Sequence, residues 1–202
     1  MKKTINIIFV GLLVTIFQVQ SFAITVNRSF TVSATVPGAT GVTINASSVT
    51  NSGGVFSSVT GTALNFGTLT FNTINGIWLP GNYFAIDIGS SGGAGVPTTT
   101  VSYTEGANPN SPGHGLGYKS AATFVKIVGT TETQLASHKK VLKNLTNEIV
   151  APSEITGGFL RIYLGIVTGD PASTPADGEP FTNNDRPGTY DGTLLISATV
   201  PG

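Results

Sequence analysis

The run Gly89-Ser90-Ser91-Gly92-Gly93 has the G-x-S-x-G spacing that presents a serine nucleophile on a sharp strand-to-helix turn. Such a serine also needs a helix behind it and a His–Asp pair to take its proton. Here more glycine, Val96-Pro97 and a Thr-rich segment follow, the pattern of a flexible turn between strands. His114 sits in a Gly-rich loop and His138 stands beside Lys139 and Lys140. Neither has metal-ligand spacing to a partner and cysteine is absent, so no zinc site is expected and both histidines are assigned to the surface. Asp170, Asp177, Glu179, Asp185 and Asp191, with Asn183 and Asn184, carry the oxygen ligands that calcium takes. They lack the ordered spacing of a calcium loop and read as a solvated segment. Trp78, Tyr83, Tyr103 and Tyr118 offer flat faces for stacking a sugar, although aromatic rings in a sandwich more often pack a core or an edge. These residues give no reason to expect an enzyme, a metal or a cofactor.

The elements that would position such groups are almost all strands. Period-2 alternation is clearest near the start, where Ile24, Val26, Phe30, Val32, Ala34 and Val36 occupy even positions and only Arg28 breaks the series. Hydroxyl and amide side chains fill the odd positions, and Pro37-Gly38 ends the run. Further strands are expected at Val42 to Ala46, Ala63 to Asn72, Tyr83 to Ile88 and Thr98 to Thr104, separated by turn clusters such as Asn75-Gly76 and Pro80-Gly81. The segment Glu132 to Leu145 is either a loosely patterned helix or a strand, Gln134 to Leu142, folded back on Ala122 to Val128. The hairpin is the favoured reading. Phe159 to Val167 is hydrophobic on both faces and suits a central strand. Thr189 to Val200 puts Tyr190, Leu194, Ile196, Ala198 and Val200 on one face. Many short strands at this spacing indicate an all-β sandwich.

Composition narrows the partners. Of 202 residues only 10% are charged, against about 25% in ordinary soluble domains. No basic patch exists to meet phosphates, so nucleic acid is not expected. Lys2 and Lys3, an apolar core from Ile5 to Phe17 and the small-x-small site Ser21-Phe22-Ala23 read as a cleaved secretory signal. Residues 1–23 are thus expected to be removed, 24–37 to form the alternating strand and 38–202 the sandwich, in an exported protein. Without cysteine, stability outside the cell must come from a large sheet core or from burial against partners. One internal echo stands out: Ser33-Ala34-Thr35-Val36-Pro37-Gly38 recurs as Ser197-Ala198-Thr199-Val200-Pro201-Gly202.

The alternating N-terminal segment, together with Gly188-Thr189-Tyr190-Asp191-Gly192-Thr193-Leu194-Leu195-Ile196, resembles the ends of cysteine-free bacterial fimbrial subunits of the chaperone–usher type. Leu64-Asn65-Phe66-Gly67-Thr68-Leu69 is similar to an early-strand motif of pilin-like and spore-coat-like secreted domains. The resemblance covers the two ends and one internal strand. It implies an immunoglobulin-like (pilin-like) sandwich lacking one strand, completed by the N-terminal extension of a neighbouring subunit. Ile24, Val26, Phe30, Val32 and Ala34 would then be donor-strand side chains. Tyr190, Leu194, Ile196 and Val200 would edge the acceptor groove and would earlier meet a periplasmic chaperone. The implied partners are further copies or related subunits, that chaperone and an outer-membrane usher, with surface deployment and a possible glycan on the host or surface. The alternatives left open are an ordinary first strand folded onto its own sheet and a self-contained adhesion or carbohydrate-binding module.

Overall fold

A computed structural model describes residues 29–35, the latter as backbone, together with 41–90, 95–110, 114–170 and 174–200. Fourteen strands are described among them: β1 Ser29–Thr35, β2 Val42–Thr50, β3 Phe56–Ser58, β4 Ala63–Asn65, β5 Thr70–Asn72, β6 Ile77–Leu79, β7 Asn82–Ser90, β8 Thr98–Glu105, β9 Ser120–Val128, β10 Thr131–Val141, β11 Thr146–Val150, β12 Phe159–Ile166, β13 Phe181–Thr182 and β14 Gly192–Thr199. A single helical turn, α1 Leu116–Lys119, and two short 3-10 turns interrupt them. No helix of the described residues is long and apolar enough to cross a membrane.

Two sheets make the body. One has the order β11-β8-β14-β1-β4 and the other β10-β9-β12-β7-β2-β3, while β13-β6-β5 forms a small third sheet. Alternation decides which residues face inward. Leu160, Ile162, Leu164 and Ile166 of β12 are buried, and Leu194, Ile196 and Ala198 of β14 are buried between exposed Thr193, Leu195 and Thr199. Both sets belong to one core cluster with Phe84, Ile86, Ile88, Val101 and Phe124, so the two sheets close on a common interior. The proposed β9–β10 hairpin is present, with Val128 opposite Thr131 and Gly129 at φ 59° in the turn. As expected, β12 is interior, paired on one side with β7 and on the other with β9.

Ala63 to Asn72 is not one strand. Gly67, at φ 69°, breaks it into β4 and β5, and the two halves join different sheets. Strands β3, β6, β11 and β13 were not anticipated. All are short, and their polar or turn-flanked sequences carry little alternation of their own.

His138 also corrects its surface assignment. It is buried against Phe124 and bridges Glu148 through Nδ1 at 2.6 Å and Glu154 through Nε2 at 2.9 Å. One carboxyl group thus meets each ring nitrogen. Asn147, at φ 88°, lies where the β11 pairing slips by a residue, which sets Glu148 opposite the inward-facing Val101. Lys140 adds a 2.5 Å contact to Glu148. Since β10 and β11 belong to different sheets, this cluster pins one open side of the sandwich shut. The Glu154 carboxyl is held below its ordinary value, chiefly by the Ala151 N–H and further by His138, against an opposing effect of burial. A depressed carboxyl contributes stability that is complete above its unfolded value of about 4.3 and is lost as pH falls through the folded one. Urea midpoints should therefore decline as pH drops below about 4.5, and Glu154→Gln should flatten part of that decline.

Candidate functional site

Strand β1 links β4 to the rest of the first sheet. Strand β14 pairs antiparallel with β8 along its whole length, from Gly192 opposite Glu105 to Thr199 opposite Thr98. Its other edge is taken by β1, running parallel, with Phe30 opposite Gly192, Val32 opposite Leu194 and Ala34 opposite Ile196. On the far side β1 pairs antiparallel with β4, Ser29 opposite Asn65 through Thr31 opposite Ala63. The first strand thus fills a slot whose walls are β14 and β4, and within one chain it lies in its own sheet. The β1–β14 pair is the sole parallel one among the described strands.

Of the residues named as an acceptor edge, Leu194 and Ile196 lie in β14 and Tyr190 lies just ahead of it. Leu194 and Ile196 are fully buried, and so is Tyr190, whose hydroxyl donates to the Arg186 carbonyl at 2.7 Å and whose ring packs edge-on to Phe181 at 5.0 Å. Val200 is half-buried and lies just beyond the end of β14. On the opposite wall Leu64 of β4 is fully buried and belongs to the same core. Of the donor set, Phe30, Val32 and Ala34 fall in β1, whereas Ile24 and Val26 lie outside the described residues. The echoed hexapeptides begin in these two adjacent strands, and Ser33 stands opposite Leu195, two residues before its counterpart Ser197. Their likeness thus matches a shared sheet environment. Gly192 has a packing role at the head of the slot: a Cβ there would collide with the Tyr103 ring.

The other candidates separate. Ser91 lies outside the described residues, and Gly89 and Ser90 end β7. The acidic residues of the 170–191 segment part company: Asp177 accepts from Asn144 and Asp191 from the Ala107 N–H, while Glu179 and Asp185 meet on Lys119. Among the described residues no group of three or more His, Cys, Asp or Glu is placed to hold a metal ion. Trp78 packs on Phe71, and Tyr83 meets Tyr163 on the outer face of the second sheet. Tyr103 and Tyr118 share a pocket of about 480 Å³ with Glu105, Asn108, Asn110 and Lys143. Lys143 Nζ sits 3.7 Å from the Tyr118 ring centre, and Glu105 accepts from the Tyr103 hydroxyl at 3.1 Å and the Gly117 N–H at 2.9 Å. What the sequence did not single out is Lys119, an almost fully buried cation between two carboxylates.

No protein-family model matches this chain, and neither does a curated protein or a solved structure. Leu194→Ala, which empties part of the slot's wall, should cost about 2–5 kcal/mol in urea unfolding. Leu195→Ala, one residue along on the exposed face, should change stability by no more than about 0.5 kcal/mol.

Proposed function

We propose that this chain is a structural subunit of a bacterial surface fibre, an incomplete immunoglobulin-like sandwich whose copies are joined by exchange of the β1 strand. The supporting observation is the position of β1: an N-terminal strand in the interior of a sheet, bounded by β14 and β4 and reached from β2 through only a short Pro-Gly-containing segment. A strand so placed can be supplied by its own chain or by the next one with the same contacts, which is the physical basis of swapped and strand-donated assemblies. Export, passage past a periplasmic chaperone and usher, and surface deployment belong to the same reading.

Magnitudes favour a strand that matters. Each Val, Ile or Phe moved from water into the core contributes about 1.5–3 kcal/mol, before the costs of association. Several such residues together rival the whole net stability of a domain, about 5–15 kcal/mol. A domain without the strand is then marginal, and a fibre in which every slot is filled is durable.

A second reading, a carbohydrate-binding module, draws on the pocket shared by Tyr103 and Tyr118 with Glu105 and Asn108. Its signature would be glycan binding by the monomer that is lost on Tyr118→Ala. The fibre reading is tested by comparing protein starting at Ile24 with protein starting at Gly38, in thermal unfolding and size-exclusion chromatography. The shorter form should be destabilised and rescued by a peptide spanning Ile24 to Val36, while the longer form builds heat-resistant multimers. A longer form that stays monomeric at high concentration, with no rescue by the peptide, would contradict strand exchange.

A further inference from the structure

Lys119, the last residue of α1, carries its ammonium into the protein rather than out to water, with its side chain 5% exposed. Nζ lies 3.1 Å from Asp185 Oδ1 and 3.4 Å from Oδ2, so it faces the carboxyl group as a whole rather than one oxygen. It is 3.4 Å from Glu179 Oε2 and 3.2 Å from the Pro180 carbonyl. The Asp185 side chain is itself only 8% exposed. Phe181 and Tyr190 are buried at the same end of the fold, and Nζ stands 5.5 Å from the Phe181 ring centre. A plain ion pair in such a place returns little net stability, because desolvating both charges offsets most of their attraction.

The surroundings hold every part that amide formation needs. The amine lies within 3.4 Å of both oxygens of the carboxyl it would attack. Each carboxyl oxygen has its own donor, Asn110 Nδ2 to Oδ1 at 2.7 Å and the Thr182 N–H to Oδ2 at 2.7 Å, positioned to hold an oxyanion. Glu179 is fixed beside the amine, its N–H donating to the Tyr118 carbonyl at 3.1 Å. Its carboxylate also meets His114 Nδ1 at 2.9 Å, and that imidazole is half exposed, giving protons a route to solvent. The Glu179 carboxyl is kept below its ordinary value, first by His114 and then by the charge of Lys119, against desolvation. A cavity of about 530 Å³, lined by Asn110, His114, Glu179 and Arg186, opens over the cluster and gives a released water its exit.

We propose that Lys119 and Asp185 become joined by an isopeptide bond that the folded protein forms on itself, with Glu179 as the general base. The ammonium passes one proton across the ion pair to Asp185, leaving a neutral amine and a neutral carboxylic acid. The Nζ lone pair attacks Cγ, and one carboxyl oxygen takes the negative charge under the Asn110 or Thr182 donor. Glu179 accepts the second Nζ proton and returns it to the departing hydroxyl. One C–N bond forms, one C–O bond breaks and one water leaves; the third proton remains on the amide. No oxidant or cofactor enters the balance. The bond would tie the start of β9 to the loop before β14, the strand that walls the slot, in a chain without disulfides. It does not depend on the fibre reading.

Intact-mass measurement of the folded protein after acid denaturation, with peptide mapping, decides the matter. The expected result is a mass one water below that of the unmodified chain, no tryptic cleavage after Lys119, and a branched peptide joining Lys119 to Asp185. Asp185→Asn should give the identical product by losing ammonia, and Glu179→Gln should retain the full unmodified mass. A wild-type protein of full mass with a linear Lys119 peptide overturns the proposal, and loss of water in Glu179→Gln overturns the role of Glu179.

Discussion

The arrangement depends on one backbone constraint: the edge of β14 turned away from β8 must be hydrogen-bonded by another strand. Strands β8, β14 and β4 cannot form a continuous sheet without a strand between the last two, since β4 pairs with β1 alone in that sheet. An open edge at that point would expose a row of unpaired N–H and C=O groups beside the buried side chains of Leu194 and Ile196. Filling the gap satisfies the backbone and shields the core in the same step. The requirement is for a strand of the right pattern, whichever copy it comes from.

Charge is scarce in this chain, and much of what there is has been drawn into clusters that act as pins. His138 with Glu148 and Glu154 joins β10 to β11 across the two sheets. Arg161 donates to both oxygens of Asp87, at 2.6 and 2.8 Å, on the strand pair at the middle of the second sheet, and reaches Glu132 at 3.2 Å. Lys119 with Asp185 and Glu179 closes the end where the 170–191 segment turns into β14. Breaking such a partly buried pair from one side leaves an uncompensated charge, so these clusters specify the arrangement even where their net contribution is small. The chain has no cysteine, so no disulfide backs these clusters.

β14 was legible because one set of its alternate residues meets the core, β7 and β8 because turn clusters bracket them, β12 because it is hydrophobic along its length, and the β9–β10 hairpin because its turn chemistry is local. The break at Gly67 was not, since an isolated glycine in an apolar run is compatible with a continuous strand. The burial of His138 is illegible in the sequence for a different reason. A histidine between lysines in sequence gives no sign that Glu148 and Glu154 will meet it in space. Lys119 was passed over likewise, because its partners stand some sixty residues on, in a loop without periodicity. The pairing of β1 was half legible: its pattern and its echo of the C-terminal strand were visible, whereas its direction and its neighbour β4 are properties of topology alone.

Fibre formation requires the slot of one copy to accept the strand of another. Ser33 and Leu195 stand opposite each other on β1 and β14, and the chain has no cysteine to interfere. Neighbouring strands are about 4.8 Å apart, within the Cα separation a disulfide spans. Copies carrying Ser33→Cys and copies carrying Leu195→Cys would be folded together at high concentration and oxidised. Strand exchange in the register seen here requires a covalent link between the two kinds of chain. If no such link forms, while a chain carrying both cysteines closes the bond within itself, β1 belongs to its own sandwich and the fibre account is wrong.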